Sequence, residues 1–159
     1  MDRLLVDVMC GTLATYLRMC GYDAAYALDL DVAENPGTPD ADVPDDALLA
    51  VARDEARRVV TRDRRLAERA EDGLLIESRD VEEQLAEFSA AGFDLSVDDE
   101  PTYCGACNGR LQPIDPDERT PENAPDPVRT DVWRCEDCGQ HFWKGSHWED
   151  VAGTVAGID

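Results

Sequence analysis

Two Cys-x-x-Cys pairs, Cys104–Cys107 and Cys135–Cys138, limit what the last third of this chain can become. From about residue 95 the apolar periodicity stops. Asp98-Asp99-Glu100-Pro101 reads as a linker, and five prolines lie between Pro113 and Pro127. A segment of that composition cannot fill a core, so something else must hold it. Two residues between the cysteines of a turn let both thiolates face one ion at about 2.3 Å. Asn108 and Gly139 follow the second cysteine of each pair, where the turn needs a backbone conformation with positive φ. Twenty-seven residues separate the pairs, so the proline-rich stretch is an excursion between two knuckles. Buried or disulfide-linked cysteines are the competing reading. The paired spacing in a core-poor segment favours one Zn²⁺ held by Cys104, Cys107, Cys135 and Cys138. Four thiolates close a tetrahedron without His141 and leave no open position, so this zinc is structural.

Before residue 98 the pattern is different. Leu4–Val8, Ala24–Leu28, Arg58–Thr61 and Gly73–Glu77 read as strands. Between them lie helical patterns. Thr12 is placed to cap a helix with Leu13, Tyr16, Leu17 and Cys20 on one face, ended by Gly21. Asp45 or Asp46 is placed to cap a second, with Leu48, Leu49, Val51, Ala52 and Ala56 as its apolar stripe. A short third helix holds Leu66 and Ala70. Asp80-x-x-Glu83 is a capping box for a fourth, with Val81, Leu85 and Phe88 inward. Residues 29–44, rich in proline and acids, form a loop. Alternating strands and helices predict an α/β fold, a mostly parallel sheet flanked by helices on both faces, followed by a small C-terminal zinc ribbon. The boundaries expected are 1–98 for the α/β domain, 99–150 for the ribbon and 151–159 for a tail.

The charge sets a second limit. The chain of 159 residues carries 36 acids against 15 bases, a net −21. Twenty-three of those acids fall in residues 1–98, so the excess is not an acidic tail. Lys144 is the only lysine among the bases. A surface this carboxylated suits a halophilic, archaeal-like cytoplasm, because at ~1 M salt the Debye length is only ~3 Å. Without that screening, −21 would oppose any nucleic-acid partner. No apolar run approaches the ~20 residues that span a bilayer, and the early acid argues against a signal peptide, so a cytoplasmic location without a membrane partner is expected.

Several acids stand at strand ends. Asp7 interrupts an apolar strand, Asp63 ends the third, and Asp45 and Asp46 open a helix after a long loop. In an open parallel sheet, ligands bind beyond the carboxyl ends of the strands, so these acids can converge on one crevice. Converging carboxylates repel unless a cation lies between them, and Mg²⁺ or Mn²⁺ is the natural guest. Such an ion activates water for displacement at phosphorus. In a chain this acidic, the bland reading is that acids reach loop ends by chance and that Asp45 or Asp46 is a helix cap. Arg62, Arg64 and Arg65 around Asp63 are placed to contact phosphates or to balance charge. Cys20 reads as core, and Cys10 has no neighbour that would activate its thiol.

Together these segments resemble a known family. Leu5-Val6-Asp7-Val8-Met9-Cys10-Gly11-Thr12-Leu13-Ala14, then Leu17-Arg18 and Gly21-Tyr22-Asp23, are similar to the opening of the Mut-seven C-terminal RNase family. Val60-Thr61-Arg62-Asp63-Arg64-Arg65-Leu66 resembles its Thr-Arg-Asp motif. Cys104-x-x-Cys107-Asn108-Gly109-x-Leu111 resembles its first knuckle. Trp133-Arg134-Cys135-x-x-Cys138-Gly139 and Phe142-Trp143-Lys144-Gly145-Ser146-His147-Trp148 resemble its ending. The resemblance runs from about residue 4 to 150 and implies a PIN-like domain with a C-terminal zinc ribbon and metal-dependent ribonuclease activity. Asp7 and Asp63 carry over as metal-binding acids, with Asp45, or Asp46 in its place, as the acid that opens the next helix. Thr12 and Thr15 stand where the family often has basic residues, which weakens phosphate binding.

Two functions follow. The first is a Mg²⁺- or Mn²⁺-dependent ribonuclease acting through Asp7, Asp45 or Asp46, and Asp63. Arg18, Arg62, Arg64 and Arg65 would contact RNA phosphates, and Trp133, Trp143 and Trp148 of the ribbon would stack on bases or pack over the zinc module. The second is a non-catalytic zinc-ribbon adaptor that binds RNA or a protein partner. The nuclease needs convergent carboxylates; the adaptor needs none.

Overall fold

A computed structural model describes residues 3–97 and 100–158. Asp98 and Asp99 of the expected linker lie outside the described residues. Four parallel strands, β1 (Arg3–Val6), β2 (Asp23–Tyr26), β3 (Arg58–Thr61) and β4 (Leu74–Leu75), form one sheet in the order β2-β1-β3-β4. The connection from β1 leads to one edge and that from β3 to the other. The chain therefore switches direction between β1 and β3, the place where such sheets open a crevice.

Alternation along the strands sends side chains to two separate cores. Leu4, Val6 and Val60 face α1 (Gly11–Met19), α4 (Val81–Ala90) and α5 (Ser146–Ala156), where Leu13, Leu17, Leu85, Phe88, Val151 and Val155 are buried with them. Leu5 and Val59 face α2 (Asp45–Asp54) and α3 (Arg64–Arg69), meeting Leu48, Ala52 and Leu66. The helices thus cover both faces, as the alternation of elements predicts.

The ends of the elements depart from expectation. Thr12 caps nothing: Cys10 is the N-cap of α1, without a side-chain cap bond, because a short 3-10 turn at Val8–Cys10 leads directly into the helix. Neither Asp45 nor Asp46 is the N-cap of α2. Pro44 takes that position, and both acids sit in the first turn, where carboxylates favour the helix dipole. α2 stops at Asp54, and Ala56 lies beyond it with φ 54°. β2 ends at Tyr26, and Ala27–Asp29 turn into a 3-10 helix. Only Leu74 and Leu75 of the fourth expected strand pair. Gly73 before them packs so closely on α3 that a Cβ would lie 2.4 Å from the Ala67 carbonyl. Asp80 caps α4 by accepting from the Glu83 amide, and Gly21 follows α1 with φ 89°.

The C-terminal part is an antiparallel sheet of β5 (Leu111–Pro113), β6 (Val132–Cys135) and β7 (His141–Trp143) in that order. No helix forms among its prolines. α5 crosses the expected boundary at residue 150 and returns to the main core through Val151 and Val155.

Candidate functional site

β1 and β3 are neighbours, with Val6 in register with Val60. The residues that follow them therefore leave the sheet side by side. Asp7 is 7% exposed; its amide donates to the Val60 carbonyl at 2.9 Å, which extends the strand pairing by one residue. Its Oδ1 accepts from the Val8 amide at 2.7 Å, and its Oδ2 accepts from the Thr61 hydroxyl at 2.6 Å. The same Thr61 hydroxyl accepts from the Asp63 amide at 3.0 Å. Asp63 is exposed and caps α3, its Oδ1 accepting from the Arg65 amide at 2.9 Å and the Leu66 amide at 3.3 Å. One buried hydroxyl thus ties the two aspartate segments together across adjacent strand ends.

The surroundings of Asp7 are specific. Gly11 opens α1 where a Cβ would press on the Tyr26 ring at 3.1 Å, and Tyr26 donates its hydroxyl to the Val8 carbonyl at 2.6 Å. These contacts hold the 3-10 turn that carries Met9, 55% exposed. The Cys10 thiol is pushed up to about 11, by burial first and then by the Asp7 charge, with Arg62 opposing. It stays protonated at neutral pH and offers no nucleophile. Among the described residues Arg62 makes no ion pair, and its Nε is buried without a hydrogen-bond partner.

The other expected site residues are placed differently. Asp45 and Asp46 are held by Arg69 of α3: Asp45 lies 3.8 Å from the guanidinium, and Asp46 is in direct hydrogen-bond contact with it. Arg64 pairs with Glu77 at 3.2 Å, and Arg65 is exposed. Arg18 is not a surface phosphate contact. It is 3% exposed at the far end of α1, donating from Nε to the Ala24 carbonyl at 2.8 Å and from Nη1 to the Gly105 carbonyl at 2.9 Å. Burial lowers its pKa, with nearby acids and thiols opposing.

The cysteines converge. The sulfurs of Cys104, Cys107, Cys135 and Cys138 all lie within 4.8 Å of one another, with Cys104–Cys138 at 3.7 Å and Cys107–Cys135 at 3.5 Å. A tetrahedron of bonds near 2.3 Å places its sulfurs about 3.8 Å apart, so the cluster has the dimensions for one zinc ion. Asn108 takes φ 68° and Gly139 φ 76°, the conformation expected after each pair. Gly109 fits because a Cβ there would lie 2.7 Å from Cys135 Sγ. Among the described residues this is the one group of three or more His, Cys, Asp or Glu whose ligand atoms gather this closely. The aspartates do not assemble a three-carboxylate cluster of that size.

The first knuckle is docked on the α/β domain. Asn108 Nδ2 donates to Asp23 at 2.7 Å, and its Oδ1 accepts from the Ala24 amide at 3.0 Å on the open edge of β2. Thr15 donates to the Gly105 carbonyl at 3.3 Å. Sequence reasoning misses Thr61, Arg69 and Asn108 as partners. Thr61 carries a local signal as the first residue of Thr61-Arg62-Asp63, and Asn108 carries one in its turn position, which concerns its backbone; Arg69 carries none.

A family model described as the Mut7-C RNAse domain matches residues 2–155. No curated protein and no solved structure matches the chain.

Proposed function

The chain belongs to the Mut7-C RNAse domain family, and on that premise we propose that it is a metal-dependent ribonuclease hydrolysing RNA phosphodiester bonds at the crevice between β1 and β3. The observation that carries this reading is the Asp7–Thr61–Asp63 connection at adjacent strand ends. Asp7 keeps a further lone pair on each oxygen, and Asp63 Oδ2 has no partner among the described residues, so both offer hard oxygen ligands. Mg²⁺ is commonly held by one or two carboxylates together with substrate phosphate, which suits this pair. A bound Mg²⁺ or Mn²⁺ would lower the pKa of its water and stabilise charge at phosphorus. Thr61 and the Val8 amide orient Asp7, and the cap bonds orient Asp63. Arg62, Arg64 and Arg65 stand beside Asp63 to receive phosphates. Asp45 or Asp46 joins the acids only if Arg69 releases it. Zn²⁺ in the cysteine cluster is structural. The dense surface charge supports function in strong salt inside a halophilic cell.

The test is cleavage of single-stranded RNA by protein freed of divalent ions at the crevice, with Mg²⁺ or Mn²⁺ added back. The reading expects no cutting before addition, and cutting afterwards that Asp7→Asn removes without loss of zinc. The adaptor reading draws on one specific observation, the engagement of Asp45 and Asp46 with Arg69. It expects RNA or protein binding with no cutting under either condition.

A further inference from the structure

Both histidines and the single lysine of the chain fall within residues 141–148. β7 and the start of α5 carry this stretch to a groove of about 440 Å³ between α1 and the ribbon. Tyr103, Phe142, Trp143 and Trp148 wall it, with His141 and His147 between them. Thr15 and Met19 of α1 form the opposite side. Among the described residues no Asp or Glu lines it, although the chain has 36 acids. Cations stand at its rim: Lys144 Nζ is 5.3 Å from the Trp148 ring centre, and the Arg110 guanidinium is 5.5 Å from that of Tyr103. The rings are half-buried and keep accessible surface, whereas Trp133 is only 7% exposed and packs in the ribbon. Gly145 shapes the wall, because a Cβ there would lie 2.7 Å from Trp143 Nε1.

We infer that this groove binds unpaired bases of single-stranded RNA, with Lys144 and Arg110 taking the flanking phosphates; the inference rests on the ribonuclease reading and names how the substrate is gripped. Aromatic faces stack on any base, and cations at the rim favour the backbone of a polyanion. An acid-free lining repels RNA less than the carboxylate-rich surface of a chain of −21 does. The location is productive. Gly11, at one end of α1, borders the Asp7 turn, while Thr15 and Met19 border the groove. The nine residues of α1 span about 13 Å, a distance that a few nucleotides of extended strand cover.

The test uses full-length, zinc-loaded protein carrying Asp63→Asn, so that bound RNA survives. Fluorescein-labelled single-stranded oligoadenylate is titrated by anisotropy, and its duplex with oligouridylate serves as competitor. The single strand should bind more tightly than the duplex. Trp148→Leu should weaken that binding about ten-fold, and Lys144→Gln should weaken it less while flattening its salt dependence. If Trp148→Leu fails to fold or hold zinc, Tyr103→Leu and Lys144→Gln decide. Binding unchanged in the groove variants overturns the inference and leaves the groove to a protein segment, and so does the absence of any binding. The ribonuclease reading fails separately: strand binding lost in the groove variants, from a wild-type protein that never cuts, would keep the groove and remove the enzyme.

Discussion

The Thr61 hydroxyl donates to Asp7 Oδ2 over 2.6 Å while accepting from the Asp63 amide over 3.0 Å, so Thr61 sets the position of Asp7 relative to Asp63. Thr61 is fully buried. Thr61→Val keeps its volume and strand preference but leaves Asp7 Oδ2 without its buried donor. Unfolding in urea should show a loss of about 1–3 kcal/mol, with zinc content unchanged. A loss under about 0.5 kcal/mol would mean that the bond does not order the crevice.

Asn108 fastens the zinc module to the sheet. Asn108→Gly tolerates the φ of 68° yet deletes the bonds to Asp23 and Ala24. Amide exchange should then quicken at Ala24, whose N–H loses its partner on the open edge of β2, while zinc stays bound. Unchanged protection at Ala24 would argue against this docking contact.

Asp23 makes that attachment depend on pH. Burial alone would raise its pKa, but hydrogen bonds from Arg57 and Asn108, the Arg57 charge and a bond from Arg3 outweigh burial and lower it. A carboxyl with a folded pKa below its unfolded value stabilises the fold fully above the ordinary carboxylate range. That contribution disappears as pH falls through the folded value. The stability gap between wild type and Asp23→Asn should be widest near neutrality and close in acid below about pH 4. A gap that stays constant with pH would assign the effect to packing.

Gly109 gives a gentler probe of the metal cluster than loss of a ligand. A Cβ at this position would lie 2.6 Å from Asp137 Oδ2 and 2.7 Å from Cys135 Sγ. Gly109→Ala should weaken zinc about ten-fold or more in chelator competition. Cys135→Ser should abolish the one-to-one zinc stoichiometry and unfold the ribbon, whose folding energy the metal supplies. Full retention of zinc by Cys135→Ser would remove the structural-zinc assignment.

The parts legible in the sequence are those written in local spacing. The Arg58-Val59-Val60-Thr61 segment delimits β3, Asp80-x-x-Glu83 marks the start of α4, and two Cys-x-x-Cys pairs mark the cluster. Cap positions are less legible where polar residues adjoin: Asp45 and Asp46 look like caps, and Pro44 fills the position. Long-range partners carry no local signal. Asp46 meets Arg69 from 23 residues away, and Arg18 is buried by Gly105, 87 residues further on. Val151 and Val155 have helical spacing, but the core that fixes them comes from residues much earlier in the chain.

The most direct test of the enzyme is single-stranded RNA with wild type and Asp63→Asn side by side, with Mn²⁺ or Mg²⁺, as KCl rises from tenths molar to molar. Asn caps a helix as well as Asp does, so the variant keeps α3 while losing a metal-binding charge. Wild type should cut only with the divalent ion, and its cutting should persist or rise with salt, because screening relieves the repulsion between RNA and a chain of −21. Asp63→Asn should be inactive throughout, with zinc retained. Equal rates for the two proteins, or no divalent-dependent cutting at any salt, would contradict the ribonuclease assignment.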